Sequence, residues 1–188
     1  MKEEIRKAID VLRKGGIVLY PTDTVWGIGC DATNSEAVAK IYEIKKRSDS
    51  KSLVLLASDM DMVCRYVQEV PEMAVQLVEV NDKPMTIIYP GATGGLAPEV
   101  IAQDGTVAIR VPMMDFCQQL VFRLGRPLVS TSANISGEAT PKRFAEISNE
   151  VKSAVDHIVD PSLEKDSTGK SSSIIKVGLD YSIEIIRK

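Results

Sequence analysis

Short apolar runs of four to six residues recur along this chain, bounded by proline, glycine or small polar residues, and segments of helical period stand between them. That alternation is the strongest constraint on the fold, because strand-like and helix-like faces in turn must be buried on one another as α/β layers. Lys2 to Lys14 places Ile5, Ala8, Ile9 and Leu12 on one helical face, and Gly15-Gly16 stops it. Ile17 to Tyr20 reads as a buried strand halted by Pro21. Thr33 with Glu36 has the pattern of a capping box ahead of a helix whose apolar face is Ala37, Val38, Ile41 and Ile44 and which runs out at Lys45-Lys46-Arg47.

Further strands are predicted at Leu53 to Ala57, Met85 to Tyr89, Thr106 to Val111, Pro127 to Ser130 and His157 to Val159, with a closing hairpin of Ser173 to Val177 and Ser182 to Arg187. Helices are predicted at Asp59 to Tyr66, Pro71 to Val80, Asp115 to Leu124 (closed by Gly125) and Phe144 to Val151. The polar, small-residue stretch Lys165 to Ser173 is expected to be a mobile loop. The expected architecture is a single domain over 1–188, an α/β fold with a twisted, mixed parallel/antiparallel sheet flanked by helices.

At 188 residues with 44% hydrophobic side chains, the chain carries enough apolar surface for one large core. No run approaches the ~18 apolar residues of a membrane span, and Met1-Lys2-Glu3-Glu4 opens no signal core, so a cytoplasmic protein without membrane contact is expected. The formal charge of −3 disfavours binding by bulk phosphate neutralisation, while allowing a local basic patch. Cys30, Cys64 and Cys117 lie far apart and His157 is the single histidine. That pattern excludes zinc ribbons, iron–sulfur motifs and a disulfide framework, predicts no protein-held metal, and weakens Ser-His-Asp and Cys-His hydrolase readings.

Four stretches carry candidate chemistry. Tyr20 to Gly29 follows a strand and packs two threonines, an aspartate, a tryptophan and two glycines into what reads as one turn. Loops at strand ends are where α/β proteins place ligands, although such hydroxyls also satisfy their own backbone. Lys45-Lys46-Arg47, with Lys51, suits either a dipole-matched helix end or a polyphosphate. Ser130-Thr131-Ser132-Ala133-Asn134-Ile135-Ser136-Gly137 lets backbone N–H groups approach a phosphate closely, or forms an ordinary Ser/Asn turn. Arg110 ends an apolar strand, where it would meet a carboxylate ligand or pair with a surface acid from an edge strand. Ser167 to Ser172 imitates half of a P-loop, but Glu164 stands where the glycine of that motif belongs.

Together these stretches resemble a known family. Gly16 to Ala32 is similar to the opening signature of the YrdC/Sua5/TsaC family of threonylcarbamoyl-adenylate synthases. Lys45-Lys46-Arg47 resembles its KxR element, Ser132-Ala133-Asn134 its SxN element, Asp82 to Thr86 its PGPLT segment and Thr106 to Arg110 its TVAxR strand. The resemblance runs from about Ile5 to Arg187. Ser48 replaces a proline common in the family, and Ser172-Ser173 stands for its late ST element.

The resemblance implies a YrdC-like domain of the short single-domain form. It also implies a reaction in which L-threonine, bicarbonate or CO2, and ATP yield threonylcarbamoyl-AMP and pyrophosphate for t6A modification of tRNA. By match to the family, Lys45, Arg47, Ser132 and Asn134 surround the triphosphate, with magnesium carried by the nucleotide. Lys51, Thr106, Ser130, Thr140 and Arg187 are implied as further ATP contacts, and Thr24, Arg110 and Ser172 as threonine contacts. The implied partners are the three substrates, the t6A transferase proteins that use the product, and a weak RNA contact. Two competing readings are a double-stranded-RNA-binding or ribosome-assembly module and a carbamoyl-transfer domain of a larger chain.

Overall fold

The computed structural model describes residues 1–46, 53–165 and 167–188. Among these residues one nine-stranded sheet is formed by β1 (Val18–Tyr20), β2 (Gly27–Gly29), β3 (Val54–Leu56), β4 (Met85–Tyr89), β5 (Val107–Arg110), β6 (Leu128–Ser132), β7 (His157–Ile158), β8 (Ser173–Val177) and β9 (Ile183–Arg187), in the order β7-β1-β2-β6-β3-β5-β4-β8-β9. The pairs β1·β7, β3·β5 and β4·β8 are parallel and the other five are antiparallel. The expected mixed sheet is therefore present, with β5 in its interior.

The helices are α1 (Lys2–Arg13), α2 (Ser35–Lys45), α3 (Met60–Tyr66), α4 (Glu72–Val80), α5 (Asp115–Leu124) and α6 (Asn149–Ala154). The α1 helix buries Ile5, Ala8, Ile9 and Leu12 and packs on α5 and on β1. Gly15, at φ +74°, turns the chain out of α1, as the glycine pair predicts. The α5 helix occupies the expected residues, and Gly125 caps it in the left-handed conformation.

Four local expectations are corrected. The cap of α2 is Asn34, whose side chain accepts from the Ala37 N–H at 3.0 Å. The Thr33 hydroxyl is drawn away to Asp31 (2.7 Å), which also receives Arg126. The helix predicted from Phe144 breaks into a 3-10 turn, Phe144–Glu146, and the short α6, because Ser148 caps a new start by accepting from the Val151 N–H. Gly27-Ile28-Gly29 is a strand rather than part of a turn, and β6 continues through Ser132, so Ser130 to Ser132 lie on a strand rather than in a loop after one.

The reason for the two glycines is close approach. A Cβ on Gly29 would stand 2.0 Å from the Val129 carbonyl, and one on Gly27 would crowd Ser130 and the Tyr20 ring. Tyr20 itself is fully buried, with its hydroxyl on the Val129 carbonyl at 3.3 Å, and burial pushes the phenol well above its ordinary value. Squeezing β1, β2 and β6 together around Tyr20 brings the β1–β2 loop up against the end of β5.

Candidate active site

An open cleft of about 660 Å³ lies where β2 and β6 meet β3 and β5. Of the expected residues, Thr24, Arg110, Ser130, Ser132, Ser172 and Arg187 line it. Trp26 forms part of the wall.

One side is built on a buried lysine. Lys45 ends α2 and is only 3% exposed, so it is not a solvated helix end. Its ammonium donates to the Ser132 carbonyl at 2.6 Å and to Asn134 Oδ1 at 3.1 Å. The Ser132 hydroxyl donates to the same Oδ1 at 2.6 Å, and Asn134 Nδ2 donates to the Glu138 carbonyl at 2.8 Å. Lysine, serine and asparagine thus form one connected cluster. Ser132 faces the cleft and the other two stand behind it. The solvated lysine at this helix end is instead Lys46, which adopts φ 49° and pairs with Glu150 at 2.6 Å on the surface. Arg47 and Lys51 lie outside the described residues, so the proposed KxR geometry is described only at its lysine.

The other side is built on Arg110, at the end of β5 and 4% exposed. Arg110 is neither at a sheet edge nor paired with a surface acid. Its Nη1 donates to Asp23, itself 7% exposed, and its Nη2 approaches Thr24 Oγ1 at 3.4 Å. The Thr22 and Thr24 hydroxyls are 2.8 Å apart, and Thr22 donates to the Val25 carbonyl at 2.7 Å. The Thr22 hydroxyl therefore does satisfy its own backbone, while that of Thr24 meets the arginine.

Two residues of the stretch expected to be a mobile loop bond to the β1–β2 loop at this point. The Thr168 and Gly169 N–H groups donate to the Asp23 and Thr24 carbonyls at 3.0 and 2.8 Å. Ser172 follows, its hydroxyl 2.8 Å from that of the fully buried Thr86. The Ser172 carbonyl accepts from Arg187 Nε at 3.0 Å, and partial burial lowers the Arg187 pKa from its usual value.

Two expected contacts are not brought into the cleft. Thr106 precedes β5, about 13 Å along the strand from Arg110, and its hydroxyl and N–H close a turn on Asp104, holding that carboxyl below its usual range. Thr140 is exposed on the loop after Asn134. In the other direction, three residues had no role assigned from the sequence. Asp23 and Trp26 were visible only as members of a motif, and Thr86 only as part of the PGPLT-like segment. The Trp26 side chain is 1% exposed, its ring 4.9 Å from Phe144, and its indole N–H finds no acceptor among the described residues.

Among the described residues the arrangement offers fixed cations and hydroxyls but no activated nucleophile. His157 sits on β7 at a sheet edge, 3.4 Å from Glu4 and away from the cleft. Cys117 lies behind Pro21, donating to its carbonyl at 3.3 Å, and burial pushes its thiol up, which keeps the thiolate scarce. Among the described residues, no three of His, Cys, Asp and Glu gather where they could hold a metal. No described helix is long and apolar enough to cross a membrane.

A Vibrio cholerae protein named threonylcarbamoyl-AMP synthase is 39% identical over 139 residues, covering 72% of this chain and 73% of its own. A Halorhodospira halophila protein of the same name is 34% identical over 157 residues, covering 82% and 81%. The crystal structure of P. abyssi Sua5 complexed with L-threonine superposes with a TM-score of 0.84 at 27% identity over 92% of this chain, which spans about half (50%) of that longer protein. The sequence profile of the Sua5/YciO/YrdC family, described as "Telomere recombination", matches residues 10–188. Profile, relatives and superposition therefore converge, and this chain belongs to the Sua5/YciO/YrdC family.

Proposed function

We propose that the protein is an L-threonylcarbamoyladenylate synthase, a nucleotidyltransferase that supplies threonylcarbamoyl-AMP for t6A modification of tRNA. The observation that carries this reading is the two-sided cleft: a buried arginine with a threonine hydroxyl on one side, and on the other Ser132, backed by the buried Lys45 and Asn134 that bond to it. Such a site accepts an amino-acid carboxylate and a polyphosphate at once. The names of the relatives, and the L-threonine in P. abyssi Sua5, support the assignment.

In this reading the threonine carboxylate docks on Arg110, its hydroxyl meets Thr24, and Ser172 borders it. Lys45, Ser132 and Asn134 hold the phosphates with Arg47 and Lys51, while Ser130 and Arg187 border the nucleotide. The threonine amine adds to CO2 and releases a proton, giving a carbamate. A carbamate oxygen then attacks the α-phosphorus of ATP, the bond to the bridging oxygen of the β-phosphate breaks, and pyrophosphate leaves. No enzyme nucleophile is needed. The side chains align the reactants and neutralise charge at the phosphates. Magnesium enters with the nucleotide as part of the substrate. The t6A transferase proteins consume the product in a cytoplasmic setting that suits the sparse cysteines.

The test is pyrophosphate release with each substrate omitted in turn. Release is expected only when L-threonine, bicarbonate and ATP are all present, with threonylcarbamoyl-AMP detected by mass spectrometry. Equal release without threonine would refute the synthase reading.

A further inference from the structure

Asp23 does not line the cleft, yet it holds the group that does. One carboxylate oxygen receives Arg110 Nη1 and the other receives the Met113 N–H at 2.8 Å. Its carbonyl accepts from the Thr168 N–H at 3.0 Å. Asp23 is therefore anchored from three directions: the end of β5, the loop before α5, and the 167–171 strap. Arg110 reaches it from 87 positions away in sequence.

A guanidinium has five N–H donors in a rigid plane, so fixing one of them fixes the direction of the rest. We infer that Asp23 is a positioning residue for amino-acid recognition. By taking Nη1 on the side away from the cleft, it sets the guanidinium plane so that the remaining Arg110 donors face the substrate carboxylate beside Thr24. The inference rests on the synthase reading of the cleft. Charge alone argues the opposite way, since an acid next to an anion site repels the anion. If geometry is what Asp23 supplies, removing its charge weakens threonine binding. If net charge mattered more, removal would tighten it.

The test is calorimetric titration of L-threonine and ATP separately, with steady-state KM for each, in wild type, Arg110→Ala, Asp23→Asn and the double variant. Asp23→Asn is expected to raise the threonine KM about 10- to 100-fold, the scale of an ångström-sized misplacement, with the ATP KM within about threefold of wild type. Asp23→Glu, which keeps the anchoring charge, is expected to recover most of the threonine affinity. In the Arg110→Ala background Asp23→Asn adds no further loss, because Asp23 acts through Arg110.

Tighter threonine binding in Asp23→Asn, an equal loss for ATP, or additive losses in the double variant would overturn the inference. Wild-type protein that binds no threonine would overturn the synthase reading instead. Should Asp23→Asn not fold, Arg110→Gln is compared with Asp23→Asn/Arg110→Gln, an uncharged pair of similar shape. Equal threonine affinity supports the inference, and a further loss in the pair refutes it.

Discussion

Replacing Lys45 by methionine separates the chemical role of this side chain from its structural one. Methionine keeps an unbranched stem of similar length in a site where the lysine is 3% exposed, so packing is largely preserved. The ammonium's acceptors do not become orphans. The Ser132 carbonyl still receives the Asn134 N–H at 2.9 Å, and Asn134 Oδ1 still receives the Ser132 hydroxyl at 2.6 Å. The stability loss therefore belongs at the low end for a buried hydrogen bond, about 1 kcal/mol. In a domain of this size that is a fall in Tm of about 2–4 °C.

The catalytic loss is larger. A unit charge about 4 Å from a phosphate charge contributes roughly 4 kcal/mol at an effective dielectric constant of about 20. Removing one such contact from a transition state typically costs 2–4 kcal/mol, or about 30- to 1,000-fold in rate. The expected result is a folded variant, a few degrees less stable, whose pyrophosphate release at saturating threonine, bicarbonate and ATP falls by about 30-fold or more. A variant that turns over within about threefold of wild type would reduce Lys45 to a structural peg between α2 and β6 and refute the charge argument.

Threonine should be the preferred amino acid, with serine within roughly tenfold to a hundredfold and valine far behind, because a site that bonds a substrate hydroxyl leaves its own polar groups unpaired when the hydroxyl is missing. Competition among the three in the pyrophosphate assay checks this, and comparable use of valine would refute a role for the Thr24 hydroxyl. Among the three thiols, exposed Cys64 should react quickly with a disulfide reagent in native protein, while Cys30 and Cys117, buried with their pKa values pushed up, react only on unfolding; a second fast thiol in a native titration contradicts this. Stability should decline as pH rises above about 9, the ordinary thiol value of 9.0 being followed by the phenol value of 10.0. The unfolded chain releases the Cys30, Cys117, Tyr20 and Tyr89 protons there, whereas the native state keeps them, so each step up in pH favours unfolding. Denaturant melts between pH 8 and 11 measure the slope, and a flat profile would contradict the burial of these groups.

The sequence by itself determined what is local. The 3.6-residue spacing of Ile5, Ala8, Ile9 and Leu12 requires a one-sided helix, and Gly125 requires the end of α5, because periodicity and left-handed caps are written within a few neighbouring residues. The motifs also marked the stretches that build the cleft, since Thr24, Ser130, Ser132 and Arg110 all fall within them.

The tertiary structure decided the pairings between distant segments. Gly27 and Gly29 resemble turn glycines until β6 and Tyr20 are brought alongside them, and only then does Gly29 become the one residue type the crowded strand tolerates and Gly27 a position short of room. By residue type alone Lys45 suits a solvated helix end as well as a phosphate ligand, because nothing near it in sequence announces Ser132 and Asn134, 87 and 89 positions away. Asp23 carried no signal of its own, since its meaning depends on Arg110, 87 positions on. A buried charge is tolerable only with a partner, and only the folded sheet supplies one.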